Sequence, residues 1–377
     1  MSDMNRREFG RSGLMGLAAL AFGDPKRVAR HASEASATQA SDSRGYRYIH
    51  LDVFTDRRMQ GNQLFVFVQP AGLDTDTMQT MTRESNLSEC TFVFPPEQAG
   101  TDHRVRIFTR TAETPFAGHP TIGTAFALAH TGLLKPGLSH TTFGLGVGPI
   151  NLNLDWKDGR LAFAWMTQMK PTFGKSVVDG AALAAALGLD AALVRLKPDA
   201  TSATSTERGV RLQPDPAPAG QEVNCGSNFF IVPLPTRKAV DAAVLDRAKV
   251  DSVFAASGMQ RRGIYIFSTE RGQDDATAYS RLLGTGGIED PATGSAVGPA
   301  GCFAAKYGFV PPALREPQGR PEQDRGADRE ISMTFLQGVL ARRPSRLHVK
   351  VTMSGAEVTG VQVGGASVVV GEGSMAV

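Results

Sequence analysis

The chain carries one phrase twice. AGHPTIGTAFALA at 117–129 returns as EDPATGSAVGPAG at 289–301, and laid together without a gap His119-Pro-Thr-Ile-Gly-Thr-Ala125 falls over Asp290-Pro-Ala-Thr-Gly-Ser-Ala296. In each copy a glycine-containing turn runs into helical spacing. Ile122, Ala125, Phe126 and Ala129 fall at i, i+3, i+4 and i+7, and Pro120 suits the first turn, where a missing N–H costs nothing. Val297, Ala300, Gly301 and Ala304 make the second stripe, although Pro299 deletes the bond to the Ser295 carbonyl and should bend the first turn. A turn entering a helix leaves N–H groups unpaired at the positive end of the helix dipole, which suits an anion. Two such turns related by a pseudo-twofold axis would face each other across a cleft. They could hold a small carboxylated molecule largely through backbone amides, at Gly118 and Gly294, with the Thr124 and Ser295 hydroxyls assisting.

A duplicated unit fits the size of the chain. Its 377 residues, 41% hydrophobic and 20% charged, suffice for two domains of ordinary globular composition. The expected division is a signal and linker over 1–44, one domain over 45–168 and a second over 169–377. Strand patterns and one buried helix per half give the expected class: an α+β domain made twice. YRYIHLDVF and NQLFVFVQ, separated by the Gly61-Asn62 turn signal, read as a hairpin rather than a Rossmann unit. VDAAVLDRAKVDSVFAASG reads as one helix, REPQGRPEQDRGADRE as a charged surface loop, and the C-terminal segment as two or three antiparallel strands.

Charge and cysteine content exclude several functions. The 40 basic and 37 acidic residues are spread along the chain, so no basic face marks a nucleic-acid partner. Cys90, Cys225 and Cys302 are widely separated and form no CxxC or His/Cys cluster, so neither a metal site nor a disulfide framework is expected. Arg6-Arg7 ahead of the short apolar run Leu14 to Phe22 resembles a twin-arginine export signal, which implies a periplasmic or exported protein; the alternative is a cytoplasmic protein with a chance Arg-Arg pair in a disordered tail. That run is too short to span a bilayer, so no stable membrane insertion is expected.

Four blocks occur in order: HLDVFTDRRMQGNQLFVFV, NLSECTFVFPP, RIFTRTAETPFAGHPTIGTAFAL and EDPATGSAVG. Together they resemble the PhzF family, the phenazine-biosynthesis-protein-like isomerases, and LQGVLARRPSRLHV and VGGASVVVGEG resemble its C-terminal pattern. The resemblance covers nearly everything from Tyr46 onward. It implies a diaminopimelate epimerase-like fold of two pseudo-symmetric α+β domains, each a curved, mainly antiparallel sheet around a central helix. It also implies work without cofactor or metal, and a homodimer. The acid/base glutamate ending NLSE falls on Glu89, the histidine of FAGHP on His119, and the aspartate and serine of DPATGSA on Asp290 and Ser295. Three positions depart from the family pattern: Gln63 stands where proline is usual, Pro299 where a small residue is usual, and Arg342 where glycine is usual.

The residues make chemical sense on their own terms. Moving a hydrogen between carbons needs one base to remove it and the conjugate acid to return it. A single desolvated carboxyl can do both, and burial beside CTFVF would raise Glu89 toward the working pH. His119 suits donation to a substrate carboxylate or proton exchange, and also plain packing. Asp290 suits protonation or orientation, and also an N-cap. Glu113 is a weaker supporting candidate, and Cys90, next to Glu89 on a strand, should face the opposite side and pack in the core. Three other functions remain to be weighed: an amino-acid epimerase or racemase of the same fold, a non-catalytic carboxylate-binding protein, and a serine hydrolase built on Ser295. The first lacks the cysteine pair that such enzymes place in these phrases. The third lacks a GxSxG elbow.

Overall fold

The computed structural model describes residues 45–193, 217–284, 289–310 and 329–377. The expected export signal and most of the expected charged loop at 315–330 lie outside the described residues. The first half contains β1 (Gly45–Val53), β2 (Asn62–Val68), α1 (Thr75–Ser85), β3 (Glu89–Phe94), β4 (His103–Thr109), β5 (Glu113–Thr114), α2 (Gly118–His130), β6 (His140–Leu145), β7 (Gly148–Lys157) and β8 (Arg160–Thr167). The second contains β9 (Thr172–Val177), α3 (Gly180–Ala186), β10 (Gly220–Asn224), β11 (Asn228–Pro233), α4 (Arg237–Ala242), α5 (Arg247–Ala256), β12 (Ile264–Ser268) and β13 (Ala278–Leu283). It continues with α6 (Gly294–Lys306), β14 (Arg329–Gln337), β15 (Ser345–Ser354), β16 (Glu357–Gly365) and β17 (Ser367–Ala376).

The pairings repeat strand for strand. In the first half the order is β1-β2-β3-β4-β6-β7-β8, with β2–β3 and β4–β6 parallel and the rest antiparallel. In the second it is β10-β11-β12-β13-β14-β15-β16, with β11–β12 and β13–β14 parallel at the corresponding places. Antiparallel pairing of β8 with β16 joins the two series. The strand after each series crosses to the other half, so that β9 pairs with β10 and β17 with β1.

Alternation explains the sheet faces. β7 buries Ile150, Leu152 and Leu154 and exposes the residues between them, as a one-sided strand should. The two central helices are buried all round rather than along a stripe: every residue from Gly118 to Leu128 is buried, as is every residue from Ala296 to Ala305. Small residues make this possible. A Cβ on Gly123 would stand 2.5 Å from a Leu64 methyl, and one on Gly301 would stand 2.7 Å from a Val349 methyl, so the strands close directly onto helix backbone.

Two expectations need correction. The segment read as one helix from Val240 splits into α4 and α5, because Asp246 accepts a bond from the Lys249 N–H and starts a new helix. The two phrases also align differently in space. Both helices run 13 residues, and their first residues are Gly118 and Gly294, so Gly118 rather than Gly123 stands opposite Gly294. His119 therefore corresponds to Ser295, while Asp290 precedes its helix. Sequence identity misaligned them because Gly123 is a packing glycine inside α2, not a turn glycine.

Candidate active site

Each candidate side chain is set by its local element. α1 ends at Asn86, in the left-handed region with φ 53°, and the short turn after it delivers Glu89 as the first residue of β3. His119 is the second residue of α2 and is 3% exposed. Asp290 lies in the turn before α6, where the Thr293 hydroxyl donates to its Oδ2 at 2.6 Å. Thr293, not Asp290, is the N-cap residue, and its hydroxyl is spent on Asp290 instead of the helix. α2 begins from Ala117, which has no side chain to cap with. Both helices thus start without a side-chain cap.

The two helix starts meet backbone to backbone. A Cβ on Gly118 would lie 2.3 Å from the Gly294 carbonyl carbon and 2.4 Å from the Ser295 nitrogen, and one on Gly294 would lie 3.1 Å from the Gly118 carbonyl carbon. Only glycine permits that approach. Two positive helix ends in contact repel one another, and an anion bound between them relieves the repulsion. Phe54, held at φ 64° and fully buried, closes one side with its ring against Gly294. The Ser295 hydroxyl makes no hydrogen bond among the described residues and is half-buried.

Across this contact run the ionisable groups. His119 Nδ1 is 3.2 Å from Glu89 Oε2 and 3.2 Å from the Asn62 amide nitrogen. The same Asn62 nitrogen donates to Asp290 Oδ1 at 2.6 Å and to the Ala292 carbonyl at 2.9 Å. Burial, then the charge of Asp290, pushes the Glu89 carboxyl up to about 8. Burial also lifts Asp290, but bonds from Thr293 and Asn62 oppose it and the result is about 6. Burial drives His119 down to about 3, so its imidazole is neutral, and its Nε2 is buried with no partner among the described residues. Glu89 keeps 19% of its side chain exposed, which leaves an approach for a substrate.

A second layer holds Asp290. Gln337, fully buried, donates to the Asp290 carbonyl and the Thr293 hydroxyl at 2.9 Å each, and its Oε1 accepts from the Thr293 N–H and the Tyr265 hydroxyl at 3.1 Å each. Asn62 is fixed by its neighbour Gly61, at φ +70°, whose carbonyl accepts from Arg343 Nε at 2.8 Å, while the Arg343 guanidinium also pairs with buried Asp52. Sequence reasoning took Asn62 only as a turn signal and gave Gln337 no role. Asn62 and Asp290 lie 228 residues apart, and nothing local announces their contact.

Other candidates fall away from this cluster. Thr124 is buried in the second turn, where its hydroxyl donates to the Pro120 carbonyl at 2.7 Å and meets Thr91 at 3.0 Å, so it offers no free donor to the helix starts. Glu113 pairs with Arg106 on the exposed edge at 2.6 and 2.8 Å. Cys90, Cys225 and Cys302 are all buried core residues. Among the described residues no His/Cys/Asp/Glu group could hold a metal ion. Cavities of about 460 and 430 Å³ lie along Arg104 and Gly144–Gly146 and beside Arg57 and His348, and neither is lined by Glu89, His119 or Asp290.

The family model for phenazine biosynthesis-like proteins matches residues 51–373. Trans-2,3-dihydro-3-hydroxyanthranilate isomerase of Pseudomonas aeruginosa is 31% identical over 335 residues, covering 87% of this chain and 98% of its own. The crystal structure of a PhzF-family phenazine biosynthesis protein from Bacillus anthracis superposes with a TM-score of 0.69 at 23% identity, over 89% of this chain and 100% of that one. A hydroxyproline epimerase from Agrobacterium vitis shares the fold at TM-score 0.53 and 12% identity, over 89% and 93% of the two chains. A doubled α+β unit, helix starts in glycine contact and a family match across nearly the whole described chain agree, and the protein belongs to the phenazine biosynthesis-like, or PhzF, family as one of its isomerases.

Proposed function

We propose that the protein moves a proton between carbons of a small carboxylated substrate without a cofactor, using Glu89 as general acid and base. The observation that carries this reading is the largely buried Glu89 carboxyl, raised to about 8 and set 3.2 Å from a neutral imidazole beside two uncapped helix starts. The substrate carboxylate lies against the N–H groups of Gly118, His119, Gly294 and Ser295, with the Ser295 hydroxyl as a further donor. At pH 7 about one-tenth of Glu89 is ionised, and that fraction is a far stronger base than an ordinary glutamate. Ionised Glu89 removes a proton from one carbon, becomes the acid, and returns it to another. His119 holds the carboxyl in line, and Asp290 donates to or orients the remaining polar group of the substrate. An epimerase of the cysteine-pair type is disfavoured, because no cysteine stands at either helix start and all three are buried.

The test is to incubate the purified protein and its Glu89→Gln variant with small cyclic and acyclic unsaturated carboxylic acids in heavy water and to read them by mass spectrometry. Deuterium uptake or a double-bond shift with the wild type alone is expected. Equal exchange in both removes Glu89 from its role. Retention and release of a carboxylate without any exchange would favour a binding protein.

A further inference from the structure

We propose that Asn62 is a positioning residue that ties the protonation of Asp290 to the hydrogen bonding of His119 Nδ1, and through it to the proton shared with Glu89. The proposal rests on the acid–base reading of these three side chains and assigns Asn62 the link between the two halves. Its amide nitrogen carries two hydrogens but faces three acceptors: Asp290 Oδ1 at 2.6 Å, the Ala292 carbonyl at 2.9 Å and His119 Nδ1 at 3.2 Å. One acceptor must go without. Ionised Asp290 holds one hydrogen in a charge-assisted bond, and the buried Ala292 carbonyl takes the other. His119 Nδ1 is then left to Glu89, 3.2 Å away, and can accept a hydrogen bond from its protonated carboxyl.

Once Asp290 is protonated, the charge that held the first hydrogen is gone. That hydrogen turns to His119 Nδ1, occupies its lone pair and closes it to Glu89. His119 Nε2 has no hydrogen-bond partner among the described residues, so the tautomer responds to events at Nδ1, with the Gln63 backbone as the other group acting on the ring. The titratable groups that bear on Asp290 are Glu89 on β3, Tyr265 on β12 and its own neighbour Glu289, which Arg281 on β13 pairs at 3.1 Å, while His119 on α2 is reached through Asn62. Asn62 is the one that bonds both Asp290 and His119.

The experiment is a pH titration of the full chain by NMR, without substrate, following the His119 Nδ1 resonance and the Asp290 carboxyl, the latter assigned with Asp290→Asn. In the wild type a step in Nδ1 is expected at the Asp290 midpoint. In Asn62→Ala the step disappears and the Asp290 midpoint rises by about one pH unit, since a donor to the ionised form is lost. Asn62→Asp keeps the side-chain size in case the alanine variant does not fold; it also loses the step, and like charge moves Asp290 up further. A step missing from the wild type, or kept in either variant, overturns the proposal. No substrate enters the measurement, so a failed exchange assay with an intact step would sink the proposed function and leave the coupling standing.

Discussion

The two helices whose starts meet at Gly118 and Gly294 have the same length and opposite surroundings. Asp290, beside α6, accepts from Thr293 and Asn62 and is braced by Gln337, which is in turn bonded to Tyr265. Glu89, beside α2, has a single imidazole nitrogen for company at 3.2 Å. The same burial therefore leaves Asp290 near 6 and Glu89 near 8. A repeated scaffold yields one well-bonded carboxyl and one starved one, and the difference lies in the number of donors and in the charge that Asp290 puts beside Glu89. Environments that push paired carboxyls apart are how acid and base roles are divided.

The largest way to break this asymmetry is Glu89→Gln, which should cut proton exchange by about 10³-fold, read as deuterium incorporation, with the fold intact by circular dichroism. Asp290→Asn should cost less. Next comes the shared contact: Gly118→Ala should destabilise by about 3 kcal/mol in urea titration, because the new methyl meets backbone that cannot turn aside. Gly294→Ala should be milder, since its Cβ meets the tip of the Phe54 ring at 2.8 Å and backbone only at 3.1 Å.

The starved carboxyl also predicts a pH dependence of stability. Native Glu89 keeps its proton up to about 8, whereas the unfolded chain releases it near the ordinary value of 4.5. The native state therefore binds more protons between those values, and its stability falls as pH rises through that window. Glu89→Gln has no proton to lose, so at pH 9 it should be more stable than the wild type by roughly 5 kcal/mol in denaturant titration, and the advantage should vanish below pH 4. An equal difference at both pH values would contradict the assigned shift. The smallest effect concerns Arg342, which sits at φ 56° where the family pattern has glycine. Arg342→Gly should relieve left-handed strain and raise stability by about 1 kcal/mol, seen as a small rise in Tm.

Strands whose burial alternates, such as β7 and β15, were legible in the residues, and so was the doubled helix, because glycine and alanine in a helical rhythm have few other uses. Glu89, His119 and Asp290 became candidates through motif resemblance, and the geometry brings them together. Their spacing in the chain does not reveal it. What escaped was relational. The true register of the two phrases depends on which glycine turns and which one packs, and Gly123 and Gly118 look alike until Leu64 and Val53 are placed beside the former. Thr124 looked like a ligand-binding hydroxyl, but a threonine one turn inside a helix satisfies itself on the carbonyl four residues back. Asn62 and Gln337 are polar residues whose value comes from partners in other segments, which no local pattern encodes.

The crossing of β17 onto β1 sets a schedule for synthesis. A ribosome delivers Gly45–Val53 long before Ser367–Ala376, so one edge of β1 stays open while the segments between them emerge. An exposed strand edge is a template for unwanted pairing. The nascent chain thus passes through a long interval in which β1 invites neighbours, and the arrival of β17 is what closes it.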